Sequence, residues 1–201
     1  MEIPVLGDQE QAVYHPLDRV LPGIQKALAG IGNVRGITDY RDWDAVMLSA
    51  HPLLVSYLDC YEQLDGFDDL LADYIAGGGR VLALHNGIIT PKGSRLESVY
   101  GGNFLTHPPY CRLYFQRRPL TGANQDLQEF ALEEEPYMIS GCGGSREVFL
   151  TFCYEQKQYT AGFVRDYKKG KLIYLAPGHD ERSVEQEIFQ ELLRDCVEYL
   201  L

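Results

Sequence analysis

The stretch Gly77-Gly-Gly-Arg-Val-Leu-Ala-Leu-His-Asn-Gly87 decides the fold, because a glycine run leads directly into a short apolar segment. Before it, apolar residues recur at spacings of three and four over residues 64–75, which predicts a helix that ends at the glycines. Residues 80–84 then read as a strand that is apolar after its first residue, as expected when both faces are covered. A helix, a glycine turn and a buried strand in this order predict one unit of a parallel sheet.

Upstream of this unit, the pattern predicts three further strands and one helix. The strands span residues 2–6, 33–38 and 44–50. The helix is predicted from Pro22 to Gly30, because proline fits the first turn of a helix better than its interior. The 44–50 segment is the most apolar of the three and therefore predicts another strand covered on both faces.

Downstream, residues 101–144 are irregular and rich in proline, glycine and tyrosine, so we predict loops over the sheet edge. Three strands follow, at residues 147–154, 159–164 and 171–176. A turn at Lys169-Gly170 joins the last two, which makes them an antiparallel hairpin.

The chain closes with a helix whose apolar face runs from Val184 to Leu200. Ser183 and Gln186 have the spacing of a capping box at its start. Taken together, the elements predict a single domain over residues 1–201. Its fold class is a three-layer, flavodoxin-like α/β domain with a mainly parallel sheet and antiparallel additions near the C-terminus.

Composition narrows the classes of partner. The formal net charge is -11, and such a surface repels phosphate backbones and anionic lipid, so neither nucleic-acid nor membrane binding is expected. The five cysteines include no Cys-x-x-Cys pair, which predicts free thiols and a cytoplasmic location. The glycine run precedes its strand instead of linking a strand to a helix, so no nucleotide cofactor is expected. The oligomeric state is left open, a homo-oligomer included.

Three of the five histidines follow predicted strands. His51 follows the 44–50 segment, His85 follows residue 84, and His179 comes three residues after the last strand. The carboxyl ends of parallel strands share one edge, where ligands of such sheets bind. One histidine at such a place is more often a loop anchor than a catalyst. Three at equivalent places make a functional site as well supported as a structural role. His15 is interpreted as structural or peripheral.

Four motifs, in order, resemble the ThuA-like family of trehalose-utilisation-type proteins, whose fold is similar to that of class I glutamine amidotransferases. The motifs are Leu84-His85, Gly101-Gly-Asn-Phe-Leu-Thr-His-Pro108, Glu134-Glu-Pro-Tyr137 and Gly178-His-Asp180. One departure is Arg118-Pro119, which stands where the family usually has a second His-Pro pair. The role of that histidine is therefore lost or altered in this chain.

The resemblance implies a carbohydrate-related protein that acts on a sugar or an oxidised sugar derivative, as a hydrolase, lyase or isomerase. In the amidotransferase relatives a nucleophilic cysteine follows the strand that corresponds to residues 81–84, and here His85 stands in its place. A thiol-dependent glutaminase is therefore not expected. The alternatives are a non-catalytic carbohydrate-binding or sensor domain on the same scaffold, and an amidohydrolase that works without cysteine.

The catalytic candidates are His85, His179 and Glu135. The candidate ligand-binding residues are His51, Asn86, His107, Tyr137 and Asp180. His85, His107 and His179 could together hold a divalent metal such as zinc, which imidazoles and a carboxylate suit. Two alternatives stay open: metal-free acid–base chemistry on a sugar carbonyl or hydroxyl, and recognition by tyrosine stacking alone. A separation of His85 and His179 above about 12 Å would exclude a shared zinc ion with its ~2 Å bonds.

Overall fold

A nine-stranded sheet runs through the residues that this computed structural model describes, which are 1–10, 12–120, 127–141 and 143–201. The strands are β1 (Glu2–Gly7), β2 (Asn33–Ile37), β3 (Leu53–Tyr57), β4 (Arg80–Leu84), β5 (Gly102–Thr106), β6 (Cys111–Arg117), β7 (Gln128–Glu134), β8 (Met138–Gly141), β9 (Glu147–Tyr154), β10 (Lys157–Tyr167) and β11 (Gly170–Leu175). Of these, β5 and β8 form a separate two-stranded antiparallel sheet.

The strand order in the large sheet is β2-β1-β3-β4-β11-β10-β9-β6-β7. The first five strands are parallel to one another, and the remaining pairs are antiparallel. The parallel part has the order of a flavodoxin-like doubly wound sheet, with β11 in the fifth place. The predicted fold class is confirmed, although the antiparallel part is larger than the sequence suggested.

Two groups of helices enclose the parallel strands. The helices are α1 (Leu17–Ala27), α2 (Ala45–Ser49), α3 (Phe67–Gly77), α4 (Arg95–Tyr100), α5 (Glu181–Val184) and α6 (Glu187–Leu200), with single 3₁₀ turns at Tyr40–Asp42 and His85–Ile88. Helices α1, α5 and α6 contact one another, α3 contacts both α2 and α4, and both α3 and α6 pack on β11. The buried side chains form one hydrophobic cluster between these layers. In the described part of the chain, no helix is long and apolar enough to cross a bilayer.

The predicted start of the first helix was wrong, because α1 begins at Leu17 and contains Pro22. Its buried face includes Gly23, where an added Cβ would lie 2.3 Å from a methyl carbon of Val184 in α5. This close packing of two helices stabilises α1 even though Pro22 lacks the N–H that a helix interior uses.

The predicted strand over residues 44–50 is in fact helix α2. Asp44 caps it, because its Oδ1 accepts hydrogen bonds from the backbone N–H groups of Val46 and Met47 at 2.9 Å each. Both of these apolar side chains are exposed, so the run does not mark a covered strand. The strand β3 comes afterwards, and His51 therefore precedes it at the amino edge of the sheet instead of following a strand at the carboxyl edge.

Residues 101–144, predicted as loops, contain the four strands β5 to β8. In β6 the buried Leu113, Phe115 and Arg117 alternate with exposed neighbours, which is the pattern of a strand with one covered face. Residues 121–126 and 142 of the predicted loop region lie outside the described residues.

At the C-terminus, the predicted hairpin is present with its turn at Lys168-Lys169, one residue earlier than predicted, and the capping box is wrong. Tyr167 of β10 pairs with Gly170 of β11 across a two-residue turn. Instead of one capped helix there are two, and Ser183 lies inside α5. Asp180 caps α5 by accepting the N–H of Arg182 at 2.9 Å, whereas Gln186 at the start of α6 makes no side-chain cap.

Candidate functional site

Four loops meet at the carboxyl edge of the parallel strands, and each brings one ionisable side chain. His15 follows β1, Asp59 follows β3, His85 follows β4, and His179 follows β11. Because β1 and β3 are neighbours whose chain connections leave in opposite directions across the sheet, their loops diverge and open a crevice between them. The strand order therefore gathers these side chains at one place.

The three imidazoles form a nearly equilateral group. The ring centroids of His15, His85 and His179 lie 5.1 Å apart in each of the three pairs. One nitrogen from each ring falls within 4.8 Å of the other two, and His85 Nε2 lies 3.2 Å from His179 Nδ1. We call these residues the histidine cluster. The separation of His85 and His179 meets the distance condition that the sequence analysis set for a shared ion.

Two of the rings are oriented by acceptors on their outer side. His15 Nδ1 lies 3.1 Å from both carboxylate oxygens of Asp59, and His85 Nδ1 lies 2.8 Å from the carbonyl oxygen of Ala176. Since a carbonyl oxygen only accepts, His85 carries its proton on Nδ1 and directs a lone pair on Nε2 into the cluster. The Asp59 carboxylate favours the same tautomer of His15.

Burial favours the uncharged forms of His85 and His179. The pKa of the fully buried His85 lies well below its usual range because of desolvation, and His15 and His179 lower it further. The pKa of His179 falls to about 4, again through burial first and the neighbouring His15 second. The imidazoles of His85 and His179 are therefore neutral where they face each other.

His85 occupies a sharp turn directly after β4. Its φ is +47°, a left-handed conformation that costs about 1–3 kcal/mol for a residue other than glycine. Two residues on, Gly87 passes so close to β3 that an added Cβ would lie 1.9 Å from the backbone oxygen of Ser56. The turn thus fixes the position of the His85 ring at the carboxyl end of β4.

The β5–β8 sheet and the loop that follows β7 form the walls of the site. Glu135 Oε2 lies 3.2 Å from His179 Nδ1, and its Oε1 lies 3.0 Å from His107 Nδ1, so this carboxylate bridges two imidazoles. Desolvation raises the pKa of Glu135, and His107 and His15 oppose that rise. Tyr137 is buried, with its ring 4.1 Å from that of His85 and its hydroxyl 3.2 Å from His15 Nε2.

Glu134 is fully buried and fastens two loops of the site together. Its carboxylate accepts the backbone N–H groups of Gly178 at 2.9 Å, Glu135 at 2.9 Å and His179 at 3.4 Å. Burial raises its pKa to about 7. Glu134 is a positioning residue, because it contacts backbone groups that carry His179 and Glu135 and does not line the cavity.

A cavity of about 650 Å³ lies over the histidine cluster. Its aromatic walls come from Tyr14, Tyr61, Phe104 and Tyr137, and its polar lining from His15, His107, His179, Asp59 and Glu135. Tyr14 and Tyr61 are exposed at its mouth. The volume is typical of a small-molecule site, and the lining combines aromatic faces with a few convergent polar groups.

The structure brings together five of the eight residues that the sequence analysis selected: His85, His107, His179, Glu135 and Tyr137. The other three lie elsewhere or make structural bonds. Asn86 is buried and donates to the carbonyl oxygen of Tyr57 at 3.1 Å. Asp180 caps α5, and its Oδ2 accepts from Arg182 Nε at 2.8 Å. The placement of His51 in the site is wrong, because its ring stacks on Trp43 at the amino edge.

Sequence reasoning missed His15 and Asp59. His15 takes the place in the cluster that His107 was expected to fill, whereas His107 lies farther out, against Phe104 and Glu135. One signal was available, because His15 comes after the first predicted strand and therefore at the same sheet edge. That signal is weak, because His15 lies eight positions beyond the last residue of β1 and belongs to none of the four motifs.

A family model described as trehalose utilisation (ThuA) matches residues 47–200. The chain belongs to the ThuA family. All four motifs that carried the resemblance fall inside the matched segment, so the expectation from sequence is confirmed. Membership in the ThuA family indicates a carbohydrate-related role. His15 lies outside the matched segment, so the third imidazole of the cluster comes from a part of the chain that the family model does not cover.

Solved structures show the same fold. A ThuA-like protein from Parabacteroides merdae ATCC 43184 aligns with 99% of this chain and 89% of its own at a TM-score of 0.82 and 14% identity. A ThuA-like protein from Bacteroides uniformis ATCC 8492 aligns with 100% and 91% at 0.78 and 14%. The cold-adapted β-galactosidase from Rahnella sp. R3 aligns with 98% of this chain but 30% of its own, at 0.69 and 16%. No curated protein matches the chain in sequence. These identities establish the fold alone.

Proposed function

We propose that the protein is an enzyme that acts on a sugar or an oxidised sugar derivative by general acid–base chemistry in the cavity over the histidine cluster. The observation that carries this proposal is the bridging carboxylate of Glu135, which contacts His179 at 3.2 Å and His107 at 3.0 Å at the wall of the cavity. A carboxylate held between imidazoles can take a proton from a substrate and pass it on.

The shape of the cavity supports a carbohydrate as the ligand. Aromatic side chains present flat apolar faces on which the C–H face of a sugar ring can pack, and Phe104 and Tyr137 lie side by side with ring centroids 4.3 Å apart. The histidines and carboxylates supply donors and acceptors for the hydroxyl groups. ThuA-family membership points to the same class of ligand.

The roles within the proposed site follow from position. Glu135 exchanges a proton with the substrate, His107 at the rim orients Glu135, and the histidine cluster on the floor faces a substrate oxygen. A thiol nucleophile is not part of the proposal, because no cysteine of the described residues lines the cavity. Those cysteines are also unpaired, which supports a reducing compartment such as the cytoplasm.

The test incubates the purified full chain in D₂O with trehalose, other glucosides and their keto derivatives, and follows the sugars by proton NMR. We expect conversion or deuterium incorporation for at least one keto sugar. Because a single acid–base group contributes about 10²–10⁴-fold, Glu135→Gln should slow that reaction at least about 100-fold. The matched control is Glu133→Gln, two residues away with its side chain exposed on β7, which should react like the parent protein.

Two results would contradict the proposed enzymatic activity on sugars. If a sugar binds but neither exchanges nor converts, the protein is a carbohydrate-binding or sensor domain and the enzymatic proposal is wrong. Ammonia release from simple amides, retained by a variant without any cysteine, would instead identify an amidohydrolase.

A further inference from the structure

We propose that His15, His85 and His179 bind one divalent transition-metal ion, with zinc as the favoured species. The inference deepens the proposed function and rests on it for the role of the ion, whereas binding itself is tested without a sugar. It replaces the ligand set expected from sequence, because His107 lies outside the cluster and His15 lies in it.

The spacing of the nitrogens fits such an ion. Tetrahedral zinc with bonds of about 2.0–2.1 Å to imidazole nitrogens places those nitrogens about 3.3 Å apart. His85 Nε2 and His179 Nδ1 already lie 3.2 Å apart, and the widest separation within the set of three is 4.8 Å. Side-chain movements of about 1–2 Å would therefore bring the three nitrogens to the spacing of a zinc site.

The outer partners of the rings are those of a metal site. Histidines that bind a metal almost always donate their second ring N–H to a carboxylate or a backbone carbonyl. Asp59 accepts from His15, and the Ala176 carbonyl accepts from His85, each at about 3 Å. In both cases the lone pair is left on Nε2, which for His85 lies 3.2 Å from His179 Nδ1 and for His15 lies 3.2 Å from the Tyr137 hydroxyl.

The chemistry of the donors selects the ion. Three imidazole ligands suit zinc and its neighbours among the transition metals, whereas magnesium and calcium prefer oxygen ligands. The carboxylates of Asp59 and Glu135 balance the positive charge of a divalent ion from either side of the cluster. His15 and His179 line the open cavity, which supplies the route of entry, while His85 lies behind them without exposure to solvent.

When bound, the ion would act as a Lewis acid on a carbonyl or hydroxyl oxygen of the sugar. Glu135, next to His179, remains the proton-exchanging group, and Phe104 and Tyr137 hold the ring of the sugar. Three protein ligands leave a zinc ion open to an outside ligand, as in catalytic sites.

The test measures metal alone. The purified full chain is stripped with a chelator, dialysed, titrated with zinc chloride by calorimetry, and its metal content is determined by mass spectrometry after gel filtration. We expect one zinc ion per chain, and a fall in affinity of at least about 100-fold in His15→Ala and His179→Ala. Asp59→Asn, which keeps both ligand rings, should weaken binding about 10–100-fold. Cobalt in place of zinc should give the strong visible absorption of a tetrahedral site.

His51→Ala is the matched control, since it removes an imidazole that stacks on Trp43 outside the cluster and the cavity, and it should keep full zinc affinity. Circular dichroism of every stripped protein shows whether a variant has folded, and Asp59→Asn covers the case in which a histidine variant has not. Sub-stoichiometric zinc in the parent protein, or full zinc binding in His15→Ala and Asp59→Asn, would overturn the proposal. Zinc binding without any reaction on sugars would instead refute the proposed function and leave the metal site standing.

Discussion

The buried carboxylate of Glu134 gives the sharpest prediction about stability. It accepts three backbone N–H groups, from Gly178, Glu135 and His179, and has no exposure to solvent. Glu134→Ala removes the carboxylate and leaves all three backbone N–H donors without it. A buried donor left without a partner costs about 1–3 kcal/mol, and the low end applies because water can enter the space that the side chain leaves. We therefore expect unfolding to become easier by about 3 kcal/mol, or about 6–12 °C in Tm for a chain of this size.

The assay is urea unfolding followed by the fluorescence of Trp43, the single tryptophan of the chain, which is buried in the native protein. Glu133→Ala is the matched control. Its carboxylate is half exposed and pairs with Arg112 at 3.5 Å, a surface contact worth less than about 1 kcal/mol. Amide hydrogen exchange should also speed up at Gly178 and His179 in Glu134→Ala only. If stability fell by less than about 1 kcal/mol and exchange at these amides were unchanged, Glu134 would not be what holds the two loops together.

Three further predictions follow from single contacts. Gly87→Ala should cost about 3 kcal/mol in urea unfolding, because its new Cβ would meet a backbone oxygen of β3 at 1.9 Å; a cost below about 1 kcal/mol would contradict this packing. At pH 8, iodoacetamide should modify the exposed Cys153 and spare native Cys60, whose pKa burial raises to about 12, and peptide mass spectrometry that found both equally modified would contradict this. Tyr137→Phe removes a hydroxyl 3.2 Å from His15 Nε2, so calorimetry should show zinc affinity that does not fall; a loss matching that of His15→Ala would make Tyr137 part of the metal site.

The helix and strand around the glycine run were predictable because the signals there are local. Strand β4 has the predicted bounds, and α3 ends at Gly77, followed by Gly78 with a φ of +123° that only glycine adopts readily. The β6 strand could also have been found from its alternating pattern. The 44–50 segment misled because a short apolar run is compatible with either a strand or a helix, and only the cap at Asp44 distinguishes them.

The sequence by itself determined the fold class, the family and the position of His85 and His179 at strand exits, since these depend on patterns within a few residues of each other. The tertiary structure alone decided which side chains meet. His15 contacts Asp59 across 44 residues and Tyr137 across 122, because β1 lies beside β3 and the antiparallel strands return a loop over the same edge. The order of strands in the sheet is set by long-range packing, and no local pattern encodes it. For the same reason His107, which the motif favoured, lies at the rim, and His15, which no motif marked, lies in the cluster.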